Sequence, residues 1–362
     1  MAPAQVSSGR GPQALVREEI RALQAYHVVP PEGLIKLDAM ENPYRLPEPL
    51  AAEMGARLAS VAVNRYPDPT GRALKARLRE AMGVPAAHDI LLGNGSDEIL
   101  QIIALALARP GAVALAPEPG FAMYRLSAIA AGMRYVGVPL AADFSLDEPA
   151  FLGALETHRP ALTWIAYPNN PSGNLFSRAA IERILEAAPG LVVVDEAYYA
   201  FAGGATWMPE AGHENLIVVR TVSKLGLAGL RLGCAIGPRE WLDEFEKLRL
   251  PYNVNVLSAA AGDLLLAHRA VLEEQTRRIV EDRGRLEEAL DAIGVERFPS
   301  AANFILVRVA DAPRAFEGLR ERGILVRTFH GTHPLLAHCL RLTVGTPDEN
   351  RRLIEALRSI LG

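Results

Sequence analysis

Cysteine is scarce in this chain of 362 residues: only Cys234 and Cys339 occur, so neither a disulfide framework nor a cysteine-based metal-ligand spacing is available. No metal is expected, and a reducing, cytoplasmic location is. Basic residues are not in excess either. The 38 Lys and Arg are set against 42 Asp and Glu, a formal net charge of −4, with no long basic block. That speaks against nucleic acid or an anionic membrane as a partner. No apolar run reaches the length of a membrane span, about 20 residues. The segment from Met1 to Val16 is rich in Ala, Pro, Ser and Gly, lacks the apolar centre of a signal peptide, and reads as a mobile arm. No Gly-x-Gly-x-x-Gly follows an early strand, which counts against a nicotinamide-dependent oxidoreductase. Internal repeats and low-complexity linkers are also missing.

What is present is an ordinary globular composition, 50% hydrophobic and 22% charged, in a chain long enough for two domains. Seven short apolar runs alternate with helical stretches: Ile90–Leu92, Val113–Ala116, Tyr135–Val138, Leu162–Tyr167, Leu191–Val194, Leu216–Val219 and Cys234–Ile236. Several are continuous Val/Leu/Ile runs of the kind buried on both faces, which predicts an α/β fold whose large domain holds a mostly parallel seven-stranded sheet covered by helices. Helices are further predicted over 18–26, over 72–82 with Thr70 as cap, and as one long segment over 257–293. Beyond that segment Phe304–Val309, Ile324–Arg327 and Leu340–Thr343 alternate with two more helices, predicting a smaller α+β domain. The expected division is an arm over 1–30, a large domain over 46–260, and a small domain made of 31–45 together with 261–362.

Lys224 follows the run Leu216–Val219 and so sits past the carboxyl end of a buried strand, where open α/β sheets place ligands. With Gly226, Gly229 and Gly233 after it, it is a candidate Schiff-base lysine or a solvated lysine on a glycine-rich loop. Gly93–Asn94–Gly95–Ser96 lies between a strand and a helix, so free amides and the positive helix end form a phosphate cradle or a plain turn. Asp195 ends another strand at the same edge; it is a carboxylate for a protonated ring nitrogen, or a strand-end acid in an ion pair. Asn170 and Tyr198 can address a ring hydroxyl from that edge, although turn chemistry alone accounts for Asn169–Gly173. Phe121 can lay its face on a planar ring or fill a core. Arg327 and Arg341 can grip an anion together, or each can serve a surface ion pair.

Together these residues resemble the fold-type I pyridoxal-phosphate aminotransferases, over about Ile35 to Val344. The resemblance rests on Glu41–Asn42–Pro43, Arg65–Tyr66–Pro67–Asp68, Gly93–Asn94–Gly95–Ser96–Asp97–Glu98, Pro168–Asn169–Asn170–Pro171–Ser172–Gly173, Asp195–Glu196–Ala197–Tyr198, Ser223–Lys224 with Gly229–Leu230–Arg231–Leu232–Gly233, and Leu340–Arg341–Leu342–Thr343–Val344–Gly345. More narrowly it is similar to the branch acting on histidinol phosphate. The resemblance implies pyridoxal 5'-phosphate as cofactor, Lys224 as Schiff-base lysine and acid/base, and Asp195 on the pyridine nitrogen, with Asn170 and Tyr198 on the phenolic oxygen. It puts Gly95, Ser96, Ser223 and Arg231 on the phosphate with Asp97 beside them, and Phe121 on the ring. It further implies a homodimer in which Tyr66 reaches the neighbouring subunit's cofactor, and Arg341, Arg327 and Tyr26 as substrate contacts. Two departures stand out: the interval from Lys224 to Arg231 is one residue shorter than in many such proteins, and Met40 stands where Asn is frequent. The rival readings are an aromatic or other amino-acid aminotransferase, a threonine-phosphate decarboxylase, and a non-catalytic cofactor-binding sensor domain; the last lacks a basic helix-turn-helix segment here.

Overall fold

Continuous Val, Leu and Ile runs build the central sheet because helices cover both of its faces. The computed structural model describes residues 11–25, 29–30, 32–208 and 213–362. In chain order the strands are β1 (Ile35–Leu37), β2 (Asp89–Gly93), β3 (Val113–Glu118), β4 (Arg134–Pro139), β5 (Leu162–Ala166), β6 (Leu191–Asp195), β7 (Leu216–Thr221), β8 (Gly233–Gly237), β9 (Glu296–Arg297), β10 (Phe304–Arg308), β11 (Ile324–Thr328) and β12 (Cys339–Thr343). Seven of them form the large sheet in the order β2-β8-β7-β6-β5-β3-β4. Every pairing from β7 to β4 is parallel, while β8 runs antiparallel to both β7 and β2. The two-residue period divides its side chains between two cores: Trp164, Val193, Ile217 and Val219 pack on one face, and Ile165, Val192, Val194 and Val218 on the other. The mostly parallel sheet of seven strands is as the apolar runs predict.

A second sheet has the order β1-β11-β12-β10-β9. Its members come from both ends of the sequence, since β1 pairs in parallel with β11 while the other pairings are antiparallel. This pairing delivers residues 38–42 to the large sheet's edge. The final helix, Pro347–Leu361, closes this part with a capping box between Thr346 and Glu349, and buries Leu353, Leu357 and Ile360.

Three local expectations are corrected. The long helical segment is two helices, Val256–Ala267 and Arg269–Ala292, broken at His268. His268 N still donates to the carbonyls of Leu264 and Leu265, so no Gly or Pro is needed at the break and none marks it. Thr70 does not cap the helix Arg72–Met82: Gly71 does, at φ +57, while Thr70 Oγ1 donates to the Asp68 carboxylate, which also accepts from Arg72 N at 3.1 Å. Near the start, Glu18–Arg21 is helical and residues 22–25 are not, so among the described residues the expected helix 18–26 is shorter; Tyr26 lies outside them.

Candidate active site

Strand ends at one edge of the large sheet meet the segment that follows β1 around a cleft of ≈ 390 Å³. Its lining includes Ser96, Asp97, Phe121, Asn170, Asp195, Tyr198, Ser223, Lys224 and Arg231, together with Ala39, Met40 and Glu41 after β1. Parallel strands make this convergence, because crossover connections send the carboxyl ends of the parallel strands to the same edge, where antiparallel β8 presents its amino end.

Asp195 closes β6 and is 2% exposed. Its Oδ2 accepts from the Tyr124 hydroxyl at 3.0 Å and its Oδ1 from Ala197 N at 3.0 Å. Burial pushes the carboxyl up to about 6, and these two donors oppose the rise without cancelling it. Among the described residues no lysine or arginine is bonded to it, so a protonated ring nitrogen in the cleft would supply the missing positive charge. Tyr124, which motif reading passes over, lines the cleft and donates to Asp195. The available signal is its spacing: it stands three residues after Phe121 on the helix Ala122–Ala131, so both rings address one space, 5.6 Å apart and edge-on. Trp164 stacks behind Tyr124 at 5.4 Å and fixes the ring.

Lys224 lies in the short helical turn Ser223–Leu225 after β7. Its Nζ donates to the carbonyl of Ala39 at 3.3 Å and stands 5.8 Å from the centre of the Tyr198 ring. Burial first, then the positive charge of Arg341, lowers the amine to about 8, with Glu41 and Asp97 pulling the other way. Such a lysine is roughly a tenth neutral at pH 7, which makes it a usable base.

The candidate phosphate cradle is assembled from three elements. Gly95 caps the helix Ser96–Leu107 at φ +87, and a Cβ there would lie 2.7 Å from Arg231 Nη2. The absence of a side chain is therefore what lets the guanidinium close over the helix N-terminus. Arg231 also approaches Ser223 Oγ at 3.4 Å and Asp97 Oδ2 at 3.6 Å, and Thr221 Oγ1 donates to Ser223 Oγ at 2.9 Å. Arg231 itself adopts a left-handed backbone at φ +52. A charged phosphate fits these donors, and a flat ring fits between Phe121 and the strand ends, so the residues suit pyridoxal phosphate.

Asn170 joins the two halves of the cleft. Its Nδ2 donates to Tyr198 Oη at 3.1 Å, and its Oδ1 accepts from Arg341 Nη1 at 2.5 Å. Arg341 is 5% exposed, lies over Phe304 and Phe329 at 5.2 Å each, and donates from Nη2 to Asp38 O at 2.9 Å. Behind Asp195, the neighbouring Glu196 is fully buried and pairs with Arg220 at 2.8 Å, held also by Thr206.

Other expected contacts stand apart from the cleft lining. Arg327 is partly buried on β11, directly across from Arg341 in register. Tyr66 is 80% exposed and stacked on Tyr252 at 4.4 Å.

The family model described as aminotransferase class I and II matches residues 32–357, and the chain belongs to that family. It is 53% identical over 356 residues to histidinol-phosphate aminotransferase 2 of Cupriavidus pinatubonensis, covering 96% of this chain and 97% of that one. It is 54% identical over 353 residues to histidinol-phosphate aminotransferase 1 of Burkholderia lata, covering 97% and 99%. The crystal structure of histidinol-phosphate aminotransferase from Sinorhizobium meliloti in complex with pyridoxal-5'-phosphate is similar with a TM-score of 0.85 at 26% identity, over 95% of this chain and 96% of that one.

Proposed function

We propose that this chain is a pyridoxal-phosphate-dependent transaminase that interconverts L-histidinol phosphate and 2-oxoglutarate with imidazole acetol phosphate and L-glutamate, in histidine biosynthesis. The observation that carries the reading is the bridge through Asn170, which ties the ring-side Tyr198 to the anion-gripping Arg341 beside a lysine lowered to about 8. The substrate is supported by relatives of that name at 53% and 54% identity over nearly the whole chain.

When bound, the cofactor supplies an aldehyde that condenses with primary amines and a protonated ring that accepts an electron pair from the substrate Cα. Gly95, Ser96, Ser223 and Arg231 would hold its phosphate, with Asp97 at their side, Phe121 against its ring and Asp195 on its nitrogen. Asn170 and Tyr198 would hold its phenolic oxygen. Lys224, neutral once released by the incoming amine, takes the Cα proton and later returns it. Arg341 holds the substrate's acidic group with Arg327 in support. The two stand opposite each other across β11 and β12, and neighbouring like charges favour an anion between them. Tyr26 is retained as a third substrate contact.

The same reading takes residues 46–260 as the cofactor-binding domain, 31–45 with 261–362 as the small domain, and two copies as the working unit. The exposed Tyr66 stacked on Tyr252, beside the exposed Val63 and Leu250, supports a face that a second copy covers, with Tyr66 reaching the partner's cofactor phosphate. No helix among the described residues is long and apolar enough to cross a membrane, and both cysteines are free and buried, which suits a cytoplasmic enzyme.

The test is a reaction of purified enzyme with 2-oxoglutarate and, in turn, histidinol phosphate, threonine phosphate and the aromatic amino acids. Glutamate is expected to form fastest with histidinol phosphate. Faster turnover with an aromatic amino acid, or carbon dioxide release from threonine phosphate, would overturn the assignment.

A further inference from the structure

Met40 is buried with its backbone at φ +53, a left-handed conformation that a non-glycine residue keeps only where its surroundings compel it. What compels it is a clamp on both of its peptide groups. Met40 N donates to Thr343 Oγ1 at 3.1 Å, and Met40 O accepts from Asn303 Nδ2 at 2.9 Å. Asn303 is fully buried, and its other polar atom, Oδ1, has no hydrogen-bond partner among the described residues. An apolar side chain of that size would spare the fold an unsatisfied acceptor, so packing does not explain the amide. Thr343 ends β12, two residues past Arg341 on the same face, and Asn303 stands just before β10, next to Phe304, which is the register partner of Thr343.

The two residues before Met40 are the ones that touch the chemistry. Asp38 O accepts from Arg341 Nη2 at 2.9 Å, and Ala39 O accepts from Lys224 Nζ at 3.3 Å. On the other side Asn42 Nδ2 anchors the segment to Leu225 O at 3.1 Å and to Gln275 Oε1 at 3.0 Å. We propose that Thr343 and Asn303 are positioning residues of the transamination: by fixing the strained peptide groups of Met40, they hold the carbonyls of Asp38 and Ala39 where these aim Arg341 at the substrate anion and Lys224 at its proton. Neither touches substrate or cofactor. The Ala39 carbonyl favours the protonated amine and, in the neutral amine, directs one N–H away so that the lone pair faces the cleft.

The proposal rests on Lys224 being the reacting amine, a point that labelling of the cofactor-loaded enzyme decides separately. Its own test uses the cofactor-free full-length protein. Arylation of Lys224 by fluorodinitrobenzene is followed against pH by peptide mapping in wild type, Thr343→Val, Asn303→Leu and Thr343→Ser. Loss of the clamp releases the Ala39 carbonyl, so Thr343→Val and Asn303→Leu are expected to lower the midpoint by about half a pH unit, and to lower kcat about tenfold after cofactor loading. Thr343→Ser keeps the hydroxyl and is expected to restore both. If Asn303→Leu does not fold, Thr343→Val decides alone. An unchanged midpoint and a kcat within about twofold of wild type, with only the melting temperature lowered, overturns the proposal and leaves the clamp a folding element.

Discussion

The Tyr124 hydroxyl donates to Asp195 Oδ2 at 3.0 Å in a buried pocket, so a neutral phenol opposes the rise that burial imposes on the carboxyl and favours its charged form. Removing the donor in Tyr124→Phe is expected to push the Asp195 carboxyl further up and to weaken its hold on a protonated ring nitrogen. A lost hydrogen bond to a charged group costs about 1.5–3 kcal/mol, so cofactor affinity should fall roughly tenfold or more, and the loss should shrink as pH rises above the Asp195 range. Equilibrium dialysis of cofactor against pH checks it.

Asp195→Asn separates folding from chemistry. The folded carboxyl is raised to about 6 from an ordinary 3.8, so the cofactor-free fold is favoured at low pH and loses stability as pH rises through about 6. An asparagine removes that burden. The cofactor-free variant should therefore melt no lower than wild type above pH 6, with a gain on the order of 3 kcal/mol at most. With cofactor bound, turnover should drop by several orders of magnitude, because an amide cannot keep the ring protonated; the lost charge stabilisation is about 3 kcal/mol or more. Calorimetry across pH 5–8 and steady-state rates read the two halves.

Gly95→Ala tests the cradle. The new Cβ would stand 2.7 Å from Arg231 Nη2 at a backbone φ of +87, so the guanidinium must swing away and the backbone takes on strain of about 1–3 kcal/mol. The protein should still fold, because the obstructed atom ends a flexible side chain. Binding of cofactor and of inorganic phosphate should both weaken at least tenfold, as isothermal titration would show.

The two small-sheet arginines are expected to differ. Arg341→Ala should damage both half-reactions, since Arg341 holds Asn170 and the Asp38 carbonyl and is the proposed grip on the acidic group of either substrate. Arg327→Ala should hurt histidinol phosphate more than glutamate, by about 1.5–3 kcal/mol, because one bidentate arginine satisfies a carboxylate while a phosphate has a third oxygen. The ratio of single-turnover rate constants, each divided by the half-saturation concentration, makes the comparison.

Much of this site was legible in the sequence because its residues sit in short motifs at strand ends: Asp195, Lys224, Asn170 and Gly95 each follow a run of buried apolar residues, and parallel topology does the rest. The contacts that escaped are long-range ones between residues with no shared motif. Tyr124 meets Asp195 across 71 positions, and Met40 meets Thr343 across 303. The break at His268 escaped for the opposite reason, since both helices it separates are equally good helix formers and no glycine or proline stands between them.

The central claim is that Lys224 is the amine that carries the cofactor. The lysines of this chain are Lys36, Lys75, Lys224 and Lys247, and three of them form exposed or half-exposed ion pairs with Glu41, Glu246 and Glu244. Borohydride reduction of the loaded enzyme followed by peptide mapping should place the pyridoxyl group on Lys224 alone, and Lys224→Ala should take up no label while still binding cofactor through the cradle. A label on Lys36, Lys75 or Lys247, or full transamination by Lys224→Ala, would contradict the account.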